Sequence, residues 1–432
     1  MGQIKMSQLI QIEDVITLIK DHQNIVIGMA AAEPKLFLSH LHLIKHDIHL
    51  MNSLPLDDIY QKADALQHIQ FDSLFYSGQM RKLSQKHPNV SYIPSHLHAS
   101  GMNRMQVFPP DIFIGTGVKH PHNNTVSLSL SNVYEIDAFK RSKVKIIELN
   151  VNMPFVHGDH HIHINDIDYI IETNYHPTEV NYDTEDERDT IIGKLIAEHI
   201  EDESTLQFGI GAIPNAVAKA LIHKKNLGIH TEMLSDGLVK LIKLGVVTGS
   251  KKTLYPNKHV CSFILGTKAL YNYVNHNEDI LLMNANYVND PYVIGQNEKQ
   301  ISINTTIEID LTGQCNSETL NQKHYSGTGG QSDTAIGAQR SHYGKSFIAL
   351  HSTTTQKDMN GNPVMISKIV PKFVNGQSVT LSRNDIDYVV TEYGIQKLKG
   401  HTIKERIYKL ISIAHPNFRE QLLKDAKIMY DI

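Results

Sequence analysis

The sequence predicts an α/β fold built from two related halves, and three observations lead to it. Short apolar segments suited to buried strands alternate with segments of helical periodicity along the chain. The segment NDIDYIIE at 165–172 recurs as NDIDYVVTE at 384–392, 219 residues further along. A helical pattern follows each copy, starting at Arg188 and at Ile403. Duplication of one unit with a largely parallel sheet explains all three, with chance similarity of two strands as the alternative.

The elements of each half follow from its apolar runs and turn residues. In the first half, NIVIGMAAAEPKLFLSHLHLI predicts a strand, a glycine turn and a helix from about Pro34, and DIFIGTGV, NTVSLSLSN and SKVKIIELNVN predict strands. The second half offers TLQFGIGAIPNAVAKALIHK, KHVCSFILGTKALYNYVNH, EDILLMNANYVND, KQISINTTIEIDLTGQ and KSFIALHST. The acidic stretch 181–189 has no apolar periodicity and predicts the boundary, so domains are expected at 1–182 and 188–432.

Composition narrows the function classes. The 432 residues include 41 Lys and Arg against 45 Asp and Glu, a net charge of −4 that gives no basic footprint for nucleic acid. Two cysteines, Cys261 and Cys315, cannot form a disulfide framework. The N-terminus has no signal-peptide pattern, and no apolar run reaches the roughly 18 residues of a membrane span. We therefore expect a cytoplasmic protein that binds neither membrane nor nucleic acid.

Two glycine-containing segments have the form of ligand-binding turns. In QFGIGAIPNAV, from Gln207, glycines close a strand before a helix whose N-terminus favours negative charge. In HYSGTGGQSDTAIGA, from His324, three glycines in four residues leave backbone N–H groups free for an oxyanion or a phosphate. Turn geometry alone for the first segment, and a surface turn for the second, are the alternatives.

The segment GIHTEMLSDG, from Gly228, places a histidine, a glutamate, a serine and an aspartate close together. A serine hydrolase would need Ser235 in a G-x-S-x-G elbow, but the sequence there is MLSDG. Glu232 has a carboxylate that is ordinarily ionised near neutral pH, and it can attack a carbonyl directly when the leaving group is a thiolate. Most glutamates are solvated or ion-paired, so the chemistry alone does not select Glu232.

The segment HGDHHIHINDID, from His157 to Asp168, resembles a metal site in composition. It could supply two or three zinc ligands, and a metal-dependent hydrolase that uses the His157–His163 cluster is one alternative function. However, the segment runs into the repeated NDIDY strand, and the second copy of that strand carries no histidines. We therefore expect no functional metal.

Several long segments resemble one family. GIHTEMLSDGLVKLIKLGVVTG, YVNDPYVIGQN, ISINTTIEIDLTGQ, SGTGGQSD and SRNDIDYVVTEYGIQKLKG are similar, in order and spacing, to the acetyl-CoA hydrolase/transferase family, and within it to the 4-hydroxybutyrate and butyrate:acetate CoA-transferases. The resemblance covers essentially the whole chain. It implies two tandem related domains of the NagB/RpiA/CoA-transferase type, each with a largely parallel sheet flanked by helices.

The resemblance also implies site residues. Glu232 takes the place of the catalytic glutamate of the family. The residues implied to bind CoA are Gln207, Phe208, Gly209, Ile210, Gly211, Ile307 and Gly330, and backbone N–H groups at Ile213 and Gly330 would form the oxyanion hole. His160 and His161 depart from the family pattern around HGDHHIH.

The implied reaction is a ping-pong transfer of CoA from a short-chain acyl-CoA to a carboxylate such as acetate, through a glutamyl-CoA thioester on Glu232. Acyl-CoA and small carboxylic acids are then the partners, CoA is a substrate, and no permanently bound cofactor is needed. An acyl-CoA hydrolase that uses the same glutamate, and a sugar-phosphate isomerase-like enzyme of the same fold, are alternatives. The resemblance further implies a homodimer or a higher homo-oligomer.

Overall fold

The structure of the protein is a computed structural model that describes residues 7–61, 66–181 and 186–430. Part of the predicted linker, residues 182–185, lies outside the described residues. The predicted α/β class is confirmed, because parallel strands and helices alternate along the chain. Among the described residues, no helix combines the length and the apolar character that a membrane span requires.

The elements before residue 181 match the predicted strand–turn–helix pattern. The strands are β1 (Gln8–Leu9), β2 (Asn24–Ile27), β3 (Ile48–Asn52), β4 (Ile69–Ser73), β5 (Val90–Tyr92), β6 (Ile112–Lys119), β7 (Thr125–Ser127), β8 (Val144–Asn150), β9 (His161–His163) and β10 (Tyr169–Thr173). The helices are α1 (Ile12–Leu18), α2 (Lys35–Ser39), α3 (Gly78–Ser84), α4 (Ser100–Val107) and α5 (Glu135–Arg141). The helix expected from about Pro34 therefore begins one residue later.

The rest of the chain adds more and shorter strands. These are β11 (Thr205–Phe208), β12 (Gly228–Ile229), β13 (Met233–Leu234), β14 (His259–Cys261), β15 (Phe263–Ile264), β16 (Ile280–Leu282), β17 (Gln300–Thr305), β18 (Glu308–Asp310), β19 (Cys315–Asn316), β20 (Thr319–Leu320), β21 (Lys323–His324), β22 (Lys345–Ala349), β23 (Thr353–Lys357), β24 (Pro363–Ser367), β25 (Ile369–Val370), β26 (Tyr388–Thr391) and β27 (Gly394–Lys397). The helices are α6 (Glu187–Glu198), α7 (Ala212–Ala220), α8 (Asp236–Lys243), α9 (Lys268–Val274), α10 (Ala285–Val288), α11 (Pro291–Ile294), α12 (Gln331–Arg340), α13 (Ile403–Ser412) and α14 (Pro416–Tyr430).

The chain forms two compact units that interleave along the sequence. The first unit contains the described part of 1–181 together with 233–236 and 258–288. The second unit contains the described part of 182–232, then 237–257 and 289–432. Because the chain passes more than once between the units, the continuous limits 1–182 and 188–432 remain a prediction.

The main sheet of the first unit has the order β1-β10-β8-β6-β2-β3-β4-β5, and every neighbouring pair in it is parallel. The central strands β2 and β6 are buried along most of their length, as expected for a sheet covered by helices. Ile25, Ile27, Leu50, Ile112 and Ile146 lie in one buried cluster. This apolar core fixes the register of the strands.

The main sheet of the second unit has the order β12-β11-β17-β22-β26-β27. All pairs are parallel except the last, β26 with β27. The order of five strands is the same in both units, because β3-β2-β6-β8-β10 corresponds to β12-β11-β17-β22-β26. A duplicated unit therefore describes the topology as well as the sequence.

The repeated NDIDY segment performs the same structural task twice. In the first copy, the Asp168 carboxylate accepts the backbone N–H of Lys145, 2.9 Å away, at the start of β8. In the second copy, the Asp387 carboxylate accepts the backbone N–H of Ser346, 3.2 Å away, at the start of β22. Each aspartate thus fixes the end of the neighbouring parallel strand, which explains why the motif recurs.

Candidate active site

Glu232 lies at the end of a short connection that follows β12. This strand pairs with β11, with Ile229 opposite Leu206. The connection is tied to β11, because the Thr231 hydroxyl donates to the Phe208 carbonyl at 3.4 Å. The Glu232 side chain is only 8% exposed. A carboxylate this buried requires hydrogen-bond partners or an altered pKa.

Two groups contact the Glu232 carboxylate within the second unit. The Asn289 side-chain amide donates to Oε2 at 3.2 Å. The backbone N–H of Gly330 is the second donor. Gly330 directly precedes α12, so the carboxylate lies at a helix N-terminus, where the partial positive charge stabilises an anion. Glu232 is therefore held in one orientation by donors on two separate segments.

Gly330 lacks a side chain for a steric reason. A Cβ atom built on Gly330 would lie 1.8 Å from Glu232 Oε2 and 2.4 Å from Asn289 Nδ2. No other residue can stand there while the carboxylate keeps its position. The backbone of the glycine-rich segment, and not a side chain, therefore contacts Glu232.

Burial raises the pKa of Glu232 to about 7. This value includes the hydrogen bonds from Asn289 and the Gly330 N–H, which lower the pKa, and nearby Asp333, which raises it. The expectation that Glu232 is ionised at neutral pH as an ordinary glutamate therefore requires correction, since burial favours the protonated form. A carboxylate that ionises in a desolvated place is correspondingly reactive once ionised.

The Gln207–Gly211 turn presents backbone rather than side chains. The side chains of Gln207 and Phe208 are buried in β11, and Gln207 Oε1 accepts the Ile303 N–H at 3.2 Å. Gly211 has a φ of +122° and precedes α7, which begins at Ala212, two residues before Pro214. A side chain would be strained at Gly211, so glycine is required for the turn itself. The groups of this segment that can reach a ligand are in 209–213.

A cavity of about 910 Å³ lies beside this turn, entirely within the second unit. Four residues implied by the resemblance line it: Ile210, Gly211, Ile213 and Ile307. The other four, Gln207, Phe208, Gly209 and Gly330, are not in its wall. Gly330 is nevertheless close, because the side chain of the next residue, Gln331, donates to the carbonyl of Thr305 in the wall at 3.4 Å.

Three histidines of the His157–His163 cluster, His160, His161 and His163, make hydrogen bonds inside the first unit. His160 contacts Ser127 Oγ at 2.9 Å and the Leu282 carbonyl at 3.2 Å, and burial lowers its pKa to about 3. His161 Nε2 lies 2.8 Å from the Val156 carbonyl, and His163 accepts the N–H of Asn165. Hydrogen bonding inside the fold accounts for these histidines.

Within the described ranges, one group brings three potential metal ligands together, and it involves none of these histidines. It consists of Asp186, Asp189 and His351. Asp186 and Asp189 form the capping box of α6, and His351 Nε2 lies 2.7 Å from Asp189 Oδ1. Helix capping, the contacts of His351 with both aspartates and the ion pair of Asp186 with Arg188 account for this group.

Sequence reasoning missed two side chains beside Glu232. Asn289 lies in YVNDPYVIGQN and Asp333 in SGTGGQSD, so both belong to segments that carried the family resemblance. Neither residue could be assigned a role from the sequence, because each lies 57 residues or more from Glu232 along the chain. Asp236 has a structural role, since its carboxylate accepts the Thr267 hydroxyl at 2.6 Å.

Comparisons with known proteins bear on this site. The acetyl-CoA hydrolase/transferase N-terminal domain matches residues 5–182, and the C-terminal domain matches 266–426. The chain is 39% identical to a succinyl-CoA:cyclohexane-1-carboxylate CoA transferase of Geobacter metallireducens, over 95% of this chain and 93% of that protein. It is 38% identical to a 4-hydroxybutyrate coenzyme A transferase of Clostridium kluyveri, over 98% of both. The structure of a 4-hydroxybutyrate CoA-transferase from Porphyromonas gingivalis has a TM-score of 0.80 at 33% identity, covering 98% of both chains.

Proposed function

This chain belongs to the acetyl-CoA hydrolase/transferase family and is a CoA-transferase, and we propose that it moves CoA from a short-chain acyl-CoA to a carboxylate such as acetate through Glu232. The observation that carries the proposal is the buried Glu232 carboxylate, which Asn289 and Gly330 hold in one orientation. Three residues implied to bind CoA line the cavity: Ile210, Gly211 and Ile307. They offer it apolar side chains or exposed backbone, which suits a thioester and its pantetheine arm.

The first half-reaction forms a thioester on the enzyme. Glu232 attacks the acyl-CoA carbonyl and expels the CoA thiolate, which leaves a mixed anhydride between the acyl group and the glutamate. The thiolate then attacks the Glu232 carbonyl of the anhydride. The first carboxylate leaves, and a glutamyl-CoA thioester remains.

The second half-reaction reverses these steps with another acid. The incoming carboxylate attacks the glutamyl thioester carbonyl and expels the thiolate, which gives a new mixed anhydride. The thiolate attacks the acyl carbonyl of that anhydride, so that the new acyl-CoA leaves and Glu232 is regenerated. One thioester replaces another, so neither an external energy source nor a bound cofactor is required.

Each attack produces a tetrahedral oxyanion that needs N–H donors. Ile213 lies in the first turn of α7, where backbone N–H groups have no partner inside the helix, and Gly330 precedes α12. We assign the oxyanion contacts to these two N–H groups. Loss of one such donor costs about 2.7–4 kcal/mol of transition-state stabilisation, so rigid backbone donors suit the task.

Hydrolysis of acyl-CoA by the same glutamate is the second candidate function. The family includes acetyl-CoA hydrolases by its description, and water that reaches the anhydride or the glutamyl thioester would release free CoA. The balance is measurable: acetate-dependent exchange between butyryl-CoA and acetate is compared with CoA release in the absence of any carboxylate. We expect exchange to be the faster of the two.

The intermediate itself provides the decisive test. Purified protein is incubated with acetyl-CoA or butyryl-CoA, and its intact mass is measured after removal of free CoA. We expect a covalent CoA adduct on wild type and none on Glu232→Gln or Glu232→Ala. Glu298→Gln, a change at an exposed glutamate of the same unit, serves as the matched control and should retain the adduct. Full transfer activity in both Glu232 variants would refute the mechanism.

Small carboxylic acids and acyl-CoA are the proposed partners, and we propose a homodimer or higher homo-oligomer in the cytoplasm. Light scattering coupled to size-exclusion chromatography measures the assembly directly. A mass near 48.7 kDa, that of one chain, would contradict the oligomer.

A further inference from the structure

The cavity of the second unit contains a lysine to which the family resemblance assigns no role. Lys368 lies in the cavity wall between β24 and β25. Its backbone is fixed on both sides, because its N–H donates to the Ser352 carbonyl at 2.9 Å and its carbonyl accepts the Ile309 N–H at 2.9 Å. The side chain therefore starts from a rigid point of the fold.

The ammonium group of Lys368 makes no hydrogen bond and no ion pair with the described part of the chain. Arg188, the neighbouring cation, is already paired with Asp186 at 2.6 Å. Lys372, which also lines the cavity, is exposed to solvent. Lys368 is thus a half-buried cation of the wall whose charge is available to a ligand.

The charged groups around Lys368 are of both signs, so an anion in the cavity would bind chiefly to the Lys368 ammonium itself. Burial, with a contribution from Arg188, lowers the pKa of Lys368 to about 8, although Glu392 and Glu308 act in the opposite direction. The remaining ionisable residues of the cavity wall are Asp189, His351, Tyr325 and Lys372. An ammonium group that is partly desolvated, with a second cation nearby, gains interaction energy when a phosphate binds.

We propose that Lys368 is a specificity-determining residue that binds a phosphate group of CoA. This inference rests on the proposed function, because CoA is the anionic substrate that the cavity would accept. The phosphate is either the 3′-phosphate or the diphosphate, which share the same chemistry, and the experiment below distinguishes them. The thioester end of CoA then points away from Lys368, toward the turn at 209–213.

The experiment measures dissociation constants by calorimetry, so that it depends on binding and not on turnover. CoA, dephospho-CoA and pantetheine are titrated into wild type, Lys368→Met and Lys368→Arg. Lys357→Met, at an exposed lysine on β23 outside the cavity wall, is the matched control. Loss of one charge-assisted contact should weaken CoA binding to Lys368→Met roughly 10- to 100-fold. Arginine should restore most of the affinity.

The ligand series identifies the phosphate. If Lys368 contacts the 3′-phosphate, the loss in Lys368→Met disappears with dephospho-CoA. If it contacts the diphosphate, the loss is the same for CoA and dephospho-CoA. In both cases pantetheine, which has no phosphate, should bind wild type and Lys368→Met equally.

The pH dependence gives an independent readout. As Lys368 loses its proton above about pH 8, the dissociation constant of CoA should rise in wild type. It should stay level over this range in Lys368→Arg, since arginine keeps its charge.

Three results would overturn the inference: equal CoA affinity of Lys368→Met and wild type, an equal loss for pantetheine, or wild type that binds CoA no better than pantetheine. None of these depends on Glu232. Normal phosphate-dependent binding without a covalent adduct would instead refute the proposed mechanism and leave the role of Lys368 intact.

Discussion

At the scale of the residue, the burial of Glu232 has a cost in stability. Its pKa is raised to about 7 by burial, against about 4.5 for the ordinary group. Below pH 4.5 the carboxyl is protonated in both the folded and the unfolded chain, so it carries no penalty. As the pH rises toward 7 the unfolded chain releases the proton first, and the folded state loses up to about 3 kcal/mol of stability.

This loss predicts that Glu232→Gln stabilises the protein at pH 8 and not at pH 4.5. Glutamine keeps the shape of the side chain and removes the buried charge, so the penalty disappears with it. Thermal melts of both proteins across this pH range measure the effect, and Glu298→Gln should match wild type throughout. A Glu232→Gln variant that is less stable than wild type at pH 8 would contradict the raised pKa.

We propose that Asn289 positions Glu232 for the reaction. Its amide donates to Oε2 at 3.2 Å and lowers the pKa of the carboxyl. We expect Asn289→Ala to reduce kcat by roughly 10- to 100-fold, the usual effect of one hydrogen bond to a charged group. Because one donor is lost, the acid limb of the pH–rate profile should also move to higher pH.

The profile separates positioning from a purely structural role. An unfolded fraction would lower the rate at every pH and leave the limb where it was. Asn360→Ala, at an exposed turn, provides the control and should leave both rate and profile unchanged. An unshifted limb in Asn289→Ala would show that Asn289 does not act on Glu232.

At the scale of the element, the NDIDY strands show what the sequence repeat is for. Asp387 accepts the N–H of Ser346, which is fully buried, whereas Asp168 accepts the N–H of Lys145, which is partly exposed. We therefore expect water to replace the carboxylate more readily at Lys145 than at Ser346. The two equivalent aspartates therefore differ in their contribution to stability.

We expect Asp387→Ala to lower the free energy of unfolding by about 1–3 kcal/mol, since it leaves a buried N–H without a partner. Asp168→Ala should cost less, and Asn384→Ala, at an exposed residue of the same motif, should cost least. Urea denaturation of the three variants measures the order. An equal effect for all three would mean that the aspartates do not anchor the strands.

At the scale of the whole molecule, the two units share a strand order but differ in the turns that follow two equivalent strands. Strand β2 of the first unit holds the place that β11 holds in the second. After β11 the turn lines an open cavity, whereas after β2 the N–H of Met29 is accepted at 3.0 Å by the buried carboxylate of Glu135. The N–H of Met29 in the turn after β2 is thus satisfied by the protein's own carboxyl group.

This difference predicts one CoA per chain. Calorimetric titration of the wild-type protein with CoA should saturate at one equivalent, because the turn that follows β2 has no free donor at Met29. Two equivalents per chain would mean that the Glu135 carboxylate gives way to a ligand. Zero would contradict the proposed function.

The sequence by itself determined the α/β class, the repeat and the family, and the family resemblance singled out Glu232 as the proposed catalytic residue. These depend on periodicity and on local motifs, which are written in consecutive residues. The turn at 209–211 was also identified locally, because the backbone at Gly211 favours glycine. The glycine-rich segment was visible in the sequence too, but the need for glycine at 330 follows from the nearby Glu232 carboxylate.

Only the tertiary structure decided the hydrogen-bond partners and the pKa of Glu232. It also decided which hydrogen bonds the histidines make and that Lys368 lies in the cavity wall. Asn289 and Gly330 reach Glu232 across 57 and 98 residues of chain, and burial, which no single segment specifies, raises the pKa of its carboxyl. In the histidine-rich segment, His160 is buried and makes its hydrogen bonds inside the fold. Chemistry that depends on local residue type can be read from the sequence, whereas chemistry that depends on solvent exclusion requires the packed molecule.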